Sequence, residues 1–172
     1  MKYYKKYLKY KRKYLSLKLG GSPNCLDDKL KILKLDNKQV DIWQQKIEKL
    51  LLDSFEKNIP VDIDYKSTWY LVVNGEQLIG CVILDKDKII WNLAILKECR
   101  GKGIATRLMK YVIEDNQNNL YLWINLTKPK ETQKKLVRFY QRLGFKNELN
   151  PFKFFTYKIT GFNKQLMIRK KN

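Results

Sequence analysis

A turn carrying two glycines restricts the folding of this chain more than any other feature. Arg100-Gly101-Lys102-Gly103-Ile104-Ala105 follows an apolar run, Lys88 to Leu96, that reads as a strand. It precedes Leu108, Met109, Val112 and Ile113, which recur at helical spacing between Ile104 and about Asn116. A strand that passes into a helix through such a turn aims successive backbone N–H groups, and the positive end of the helix, at one point in space, which suits an anion. Gly101 and Gly103 have no side chain to block the approach, and Arg100 and Lys102 add positive charge. An ordinary solvent-exposed connection would have much the same composition, so the surrounding chain has to decide.

The flanking segments alternate in period. Lys31 to Leu35 reads as a short strand, and Asp41 opens a stretch with Ile42, Trp43, Ile47, Leu50, Leu51 and Phe55 that fits an amphipathic helix ending before Pro60. Thr68 to Val73, Gln77 to Leu84 and Lys88 to Leu96 read as three strands. Asn74-Gly75 supplies a tight turn between the first two, and Asp85-Lys86-Asp87-Lys88 a second hairpin turn. After the glycine turn and its helix come a strand over Leu120 to Leu126 and a helix over Lys134 to Leu143, stopped by Gly144. Phe152 to Ile159 and Gln165 to Arg169 form a closing hairpin. This order predicts an α+β protein of mixed α/β layers, with Trp43, Trp69, Trp91 and Trp123 read as core.

Composition removes several classes of chemistry. A chain of 172 residues can bury roughly two thirds of its unfolded surface and needs neither a metal nor disulfides to hold a core. Histidine is absent, which takes away the usual nitrogen ligand and the usual catalytic base. Cys25, Cys81 and Cys99 are widely separated and odd in number, so no metal site is expected and a reducing compartment is the simpler reading. No apolar run is long enough to cross a bilayer, and the charged N-terminus does not read as a classical secretion signal. The formal charge of +19 favours anionic neighbours, whether nucleic acid, a membrane surface or a phosphorylated cofactor.

The glycine turn resembles the cofactor motif of the GNAT, or general N-acetyltransferase, superfamily: Arg or Gln, two residues, Gly, one residue, then Gly or Ala. Arg100, Gly103 and Ala105 match its fixed positions, and Leu93-Ala94-Ile95-Leu96-Lys97-Glu98-Cys99 resembles the strand and exit loop that feed it. Phe139-Tyr140-Gln141-Arg142-Leu143-Gly144-Phe145 is similar to the late helix of that family, with its tyrosine four residues ahead of Gly-Phe. The resemblance covers roughly residues 28 to 172. It implies a central mixed sheet flanked by helices, and acetyl-CoA as cofactor. Backbone groups of Leu93, Ala94 and Ile95 would run along the pantetheine arm, and Arg100, Gly101, Lys102, Gly103, Ile104 and Ala105 would receive the pyrophosphate. Gln133 stands where relatives have Asn, and its amide would reach the cofactor or the helix start; Leu136 stands where they have Ala.

The implied reaction is direct transfer of an acetyl group to a primary amine of a small molecule or peptide, with Tyr140 as general acid toward the departing thiolate. No carboxylate lies within Lys88 to Leu96. Glu76, Asp85 and Glu98 sit in turns or the exit loop, and Asn92 can orient water without being a base. A water chain is the leading expectation for removing the amine proton. The rival readings are a degenerate acyl-CoA-binding scaffold and a non-enzymatic nucleic-acid-binding or packaging protein, the latter drawing on the +19 charge and the tyrosine-rich leader.

Residues 1–21 stand apart. Tyr3, Tyr7, Tyr10, Tyr14 and Leu17 fall at alternating spacings of four and three among lysines, and Gly20-Gly21-Ser22-Pro23-Asn24 breaks any helix. The segment resembles leaders carried by proteins of giant DNA viruses, which implies a viral origin, with the host cytoplasm or the virus particle as location. From the residues, residues 1–19 suit an anionic surface, nucleic acid or a partner helix, the plain alternative being a solvated basic tail. The expected organisation is a leader at 1–21, a joint at 22–27 and an acetyltransferase domain at 28–172.

Overall fold

The computed structural model describes residue 25 and residues 30–55, 67–148 and 164–171. The leader, most of the joint and the expected strand Phe152 to Ile159 lie outside the described residues. The elements are β1 (Lys31–Leu35), α1 (Asn37–Val40), a 3₁₀ turn (Asp41–Trp43), α2 (Gln44–Phe55), β2 (Thr68–Asn74), β3 (Gln77–Leu84) and β4 (Ile89–Ile95). A second 3₁₀ turn (Lys97–Cys99), α3 (Ile104–Glu114), β5 (Leu120–Asn125), α4 (Lys130–Arg142), β6 (Lys146–Asn147) and β7 (Lys164–Arg169) follow. The strands form one mixed sheet in the order β1-β2-β3-β4-β5-β7-β6, antiparallel throughout except where β4 meets β5.

Both faces of the central strands are covered, which is why Thr68 to Val73 reads as an unbroken apolar run rather than an alternating one. Tyr70 and Val72 of β2 join Ile79, Val82, Leu108, Met109, Val112 and Phe145 on the face that carries α3 and α4. Trp69, Leu71 and Val73 point the other way and pack with Cys81, Ile83 and the α2 residues Ile47, Leu50 and Leu51. Gly75, at φ 56°, makes the tight turn between Asn74 and its partner Gln77. The second hairpin turn is held by Asp85, whose Oδ1 accepts from the N–H groups of Asp87 at 2.9 Å and Ile89 at 2.8 Å. Its Oδ2 accepts from the indole of Trp91 at 2.8 Å.

Two helices begin earlier than the apolar periodicity predicts. Asp36 and Gln39 form a capping box, Oδ1 of Asp36 accepting from Gln39 N–H at 2.9 Å while Oε1 of Gln39 accepts from Asp36 N–H at 3.2 Å. That box starts the helical region at Asn37 rather than Asp41, because a reciprocal cap satisfies two otherwise unpaired N–H groups with no apolar residue involved. The late helix starts at Lys130, directly after Pro129, in a polar first turn that periodicity does not register.

The reading of the cysteines as reduced is corrected. Cys25 and Cys99, 74 residues apart in sequence, are joined by a disulfide across a Cα–Cα distance of 5.4 Å, both buried. Sequence separation conceals this pair, because residue 25 reaches the exit loop of β4 only once the sheet has formed. Cys81 stays free and buried. Among the described residues no cluster of potential metal ligands occurs, and no helix is long and apolar enough to cross a membrane.

Candidate active site

The parallel pairing of β4 with β5 is brief. Ile89 lies opposite Tyr121 and Ile90 opposite Leu122, after which the strands separate, although β4 continues to Ile95 and β5 to Asn125. The cause lies on the other edge of β4. Trp91 pairs with Ile83 and Ala94 with Cys81, so three steps along β4 match two along β3. The extra residue is a β-bulge, and bulges bend the strand that carries them. Asn92 sits in it at φ 52°, a region asparagine tolerates better than most residues. The thiol of Cys81 lies beneath, 3.9 Å from the Asn92 carbonyl oxygen to which it donates. Burial pushes that thiol up to about 12, which leaves it protonated and inert.

Beyond the bulge, the N–H of Leu96 donates to Ile79 O at 2.8 Å on the β3 side. By the alternation of a strand's polar groups, those of Leu93 and Ile95 then face the gap toward β5. Gly80, opposite Ile95, permits the close seating of the strand end: a Cβ there would collide with Ile95 Cδ1 and lie 2.9 Å from the Ala94 carbonyl oxygen.

The glycine turn closes the same end of β4. Gly101 and Gly103 have φ values of 79° and 78°, and a Cβ built on either would meet nothing within 4 Å. The glycines are therefore required by backbone conformation, and the space above them is open. Gly103 is the N-cap of α3 and offers no side-chain cap, while the first turn holds no acid. The first N–H groups of α3 are thus left without an intrahelical partner at its positive end, as an anion-binding helix terminus requires. Ile104 is buried beneath the turn, Ala105 is half-buried, and Lys102 is exposed beside it.

Arg100 behaves differently from the sequence expectation of a charge aimed at the cradle. Its Nε donates to the carbonyl of Ile95 at 2.9 Å and its Nη2 to Ser54 Oγ of α2 at 3.2 Å. It braces the strand end against the loop and against α2. Together with the Cys25–Cys99 disulfide and the Leu96–Ile79 bond, it fixes residues 95–100 at three places. A groove of about 900 Å³ on the β1 side of α3 shares Gly103 with the turn and is lined further by Lys31, Thr106, Arg107 and Lys110.

Tyr140 lies on the inward face of α4, next to Phe139 and Phe145, with ring centroids at 5.0 Å and 5.9 Å. Its position is set by the way the helix ends. The N–H of Phe145 donates to Tyr140 O at 3.1 Å and that of Gly144 to Gln141 O at 3.0 Å, with Gly144 left-handed at φ 87°. This is a Schellman cap with its customary apolar contact, so the spacing Tyr-x-x-x-Gly-Phe is a statement about helix termination. Among the described residues the Tyr140 hydroxyl makes no hydrogen bond, and burial pushes its pKa up to about 12.

Of its two expected places, Gln133 takes the one at the helix start. Its Nε2 donates to the carbonyls of Leu126 at 2.8 Å and Lys128 at 2.6 Å, so the amide shapes the loop that enters α4. Asp85 is committed to its hairpin at the opposite end of β4, and Glu76 and Glu98 are exposed. Sequence reasoning missed Ser54, Gly80, the bulge at Asn92 and the disulfide. Of these, only Gly80, a glycine inside an apolar strand, carried a readable signal.

A mixed sheet opened between parallel β4 and β5, with a glycine turn at the foot of the following helix, is the GNAT acyl-CoA N-acyltransferase fold. Residues 65–147 match the family model described as Acetyltransferase (GNAT) domain. Among solved structures, Escherichia coli ElaA is 18% identical with a TM-score of 0.60, covering 82% of this chain and 99% of its own. A GNAT family acetyltransferase from Elizabethkingia anophelis with acetyl-CoA bound is 21% identical, with a TM-score of 0.58 over 84% of this chain and 99% of that one. A Bacillus subtilis acetyltransferase in complex with CoA is 18% identical, with a TM-score of 0.58 over 83% and 99%. Among curated proteins, none matches the sequence.

Proposed function

We propose that the chain is an N-acetyltransferase that moves an acetyl group from acetyl-CoA to a primary amine. The observation that carries this reading is the coincidence of two features at one end of β4: the gap toward β5 that begins after Ile90, and the uncapped start of α3 at Gly103. The gap offers the backbone edge of Leu93 and the N–H of Ile95, whose carbonyl is held by Arg100, to an extended amide-bearing arm, and the helix start offers N–H groups to a pyrophosphate. A thioester supplies an acyl group already activated for attack by an amine. Acetyl-CoA is the donor that fits, and the bound ligands of the Elizabethkingia anophelis and Bacillus subtilis proteins support the same class.

Tyr140 serves the leaving group. A phenol near 12 stays protonated at neutral pH, whereas an alkyl thiol ionises near 8.5. Full proton transfer from phenol to thiolate is therefore uphill by roughly 3.5 pH units, and the hydroxyl acts chiefly as a hydrogen-bond donor to developing charge on sulfur. The amine proton leaves through water, since the described carboxylates near β4 are either committed elsewhere or exposed. Asn92, half-exposed in the bulge, would orient that water. The acceptor is an amine on a small molecule or peptide. The leader, residues 1–21, is a separable element that takes the chain to an anionic surface in a viral setting.

Calorimetric titration of the full chain with acetyl-CoA, followed by an acceptor panel read by mass, tests the proposal. Saturable binding and a mass gain of one acetyl group are expected. Binding without acetylation of any amine would instead favour a scaffold that only holds acyl-CoA.

A further inference from the structure

The outward face of α4 takes no part in the site, and its composition is unusual. Lys130, Lys134, Arg138 and Arg142 follow one another at i, i+4 spacing, and Lys135 lies three residues before Arg138. At 3.6 residues per turn these five cations occupy about 140° of the helix surface. All five are exposed. The single acid in the helix, Glu131, pairs weakly with Lys134 at 3.6 Å. Among the described residues the other four take part in no ion pair. Like charges at i, i+4 destabilise a helix, so this arrangement opposes the helix that carries it. Lys135, Arg138, Gln141 and Arg142 line a shallow hollow of about 590 Å³. Past the end of the helix, Lys146 and Lys170 flank a second hollow of about 250 Å³ that also holds Glu148.

We infer that this face of α4 binds the phosphate backbone of nucleic acid. Successive cations along the stripe are separated by about 6 Å of helix rise, so they meet a regularly charged strand as a row rather than a single ion as a cage. A bilayer is the poorer fit. The apolar residues of α4, Leu136, Val137, Phe139 and Tyr140, pack against the core and leave nothing on the outer face to insert among lipids. Contacts of this kind fix position without reading sequence, and each releases bound counterions. The face lies on the helix that presents Tyr140 inward, so a chain held there keeps its catalytic gap free.

The test is the salt dependence of binding to an end-labelled DNA duplex of 20 base pairs, measured by fluorescence anisotropy on the full chain. Replacing Lys135, Arg138 and Arg142 together by Gln should lower the slope of log K against log salt by about 2 to 3. The control variant, with Lys38, Lys49 and Lys86 replaced by Gln, removes the same charge from other surfaces and should change the slope by less than about 0.5. Thermal unfolding of both variants must match the parent, and a second set, Lys130→Gln with Lys134→Gln, keeps the test available if the triple variant is unstable. Equal slope changes in triple and control variants would overturn the inference, because binding would then follow net charge alone. A greater loss of affinity for vesicles of phosphatidylserine and phosphatidylcholine than for the duplex in the triple variant, relative to the control, would overturn it as well.

Discussion

The carbonyl of Tyr140 accepts the N–H of Phe145 at 3.1 Å while the two rings meet edge to face at 5.9 Å. One residue's backbone and ring are thus held by the same neighbour, and among the described residues the hydroxyl makes no hydrogen bond. Tyr140→Phe should lower turnover at least tenfold, leave the Kd for coenzyme A within about twofold and barely move Tm, since among the described residues the hydroxyl holds nothing. Stopped-flow thiol release and calorimetry separate these quantities. The pH dependence has a definite sign. Burial raises the folded phenol to about 12 from about 10 unfolded, so its contribution to stability is complete below pH 10 and is lost as pH rises toward 12. Tyr140→Phe should therefore flatten the alkaline loss of stability, and should leave the shape of the activity profile unchanged below pH 10.

Arg100 distinguishes a brace from a charge. A lysine at that position keeps the positive charge but cannot reproduce the Nε bond to Ile95 O together with the Nη2 bond to Ser54 Oγ. Arg100→Lys should raise the Kd for coenzyme A about tenfold, close to the effect of Arg100→Met. Wild-type affinity in the lysine variant would return the residue to a purely electrostatic role.

Gly80 and Gly103 should fail in different ways. Alanine at Gly103 meets no atom but must hold φ near 78°, at a cost of about 1 to 2 kcal/mol that weakens cofactor binding with a modest fall in Tm. Alanine at Gly80 meets Ile95 and the Ala94 carbonyl, so it displaces the end of β4 and lowers Tm more. Calorimetric titration beside thermal unfolding of both variants checks the contrast.

The bond between Cys25 and Cys99 closes a span of 74 residues. Chain-entropy arguments put its contribution at about 4 kcal/mol. Dithiothreitol should lower the denaturant midpoint of the parent to that of Cys25→Ser and leave the variant unmoved.

The fold was legible wherever burial on both faces or a tight turn left a strong signature: β2, β3 and β4 are found within a residue or two of their expected bounds, as is α3. The helix starts at Asn37 and Lys130 were not, because caps and prolines set them while periodicity reports only apolar residues. At the site, Gly101, Gly103 and Tyr140 were visible as residue types in a pattern. The inward turn of Arg100 was not, since a guanidinium's direction depends on Ser54, 46 residues earlier in the chain. β6, two exposed residues long, has no periodicity to read and exists through its pairing with β7.

The opening between β4 and β5 arises from counting. One surplus residue between Trp91 and Ala94 bends the strand, and Cys81 fills the space beneath. Side-chain substitutions around it therefore leave the opening in place, whereas removal of a single residue at Asn92 would restore register with β3, draw β4 straight and zip it to β5. For the opening itself the damaging event is a deletion of three nucleotides at Asn92, whereas exchanges of single amino acids act on what the opening binds and does.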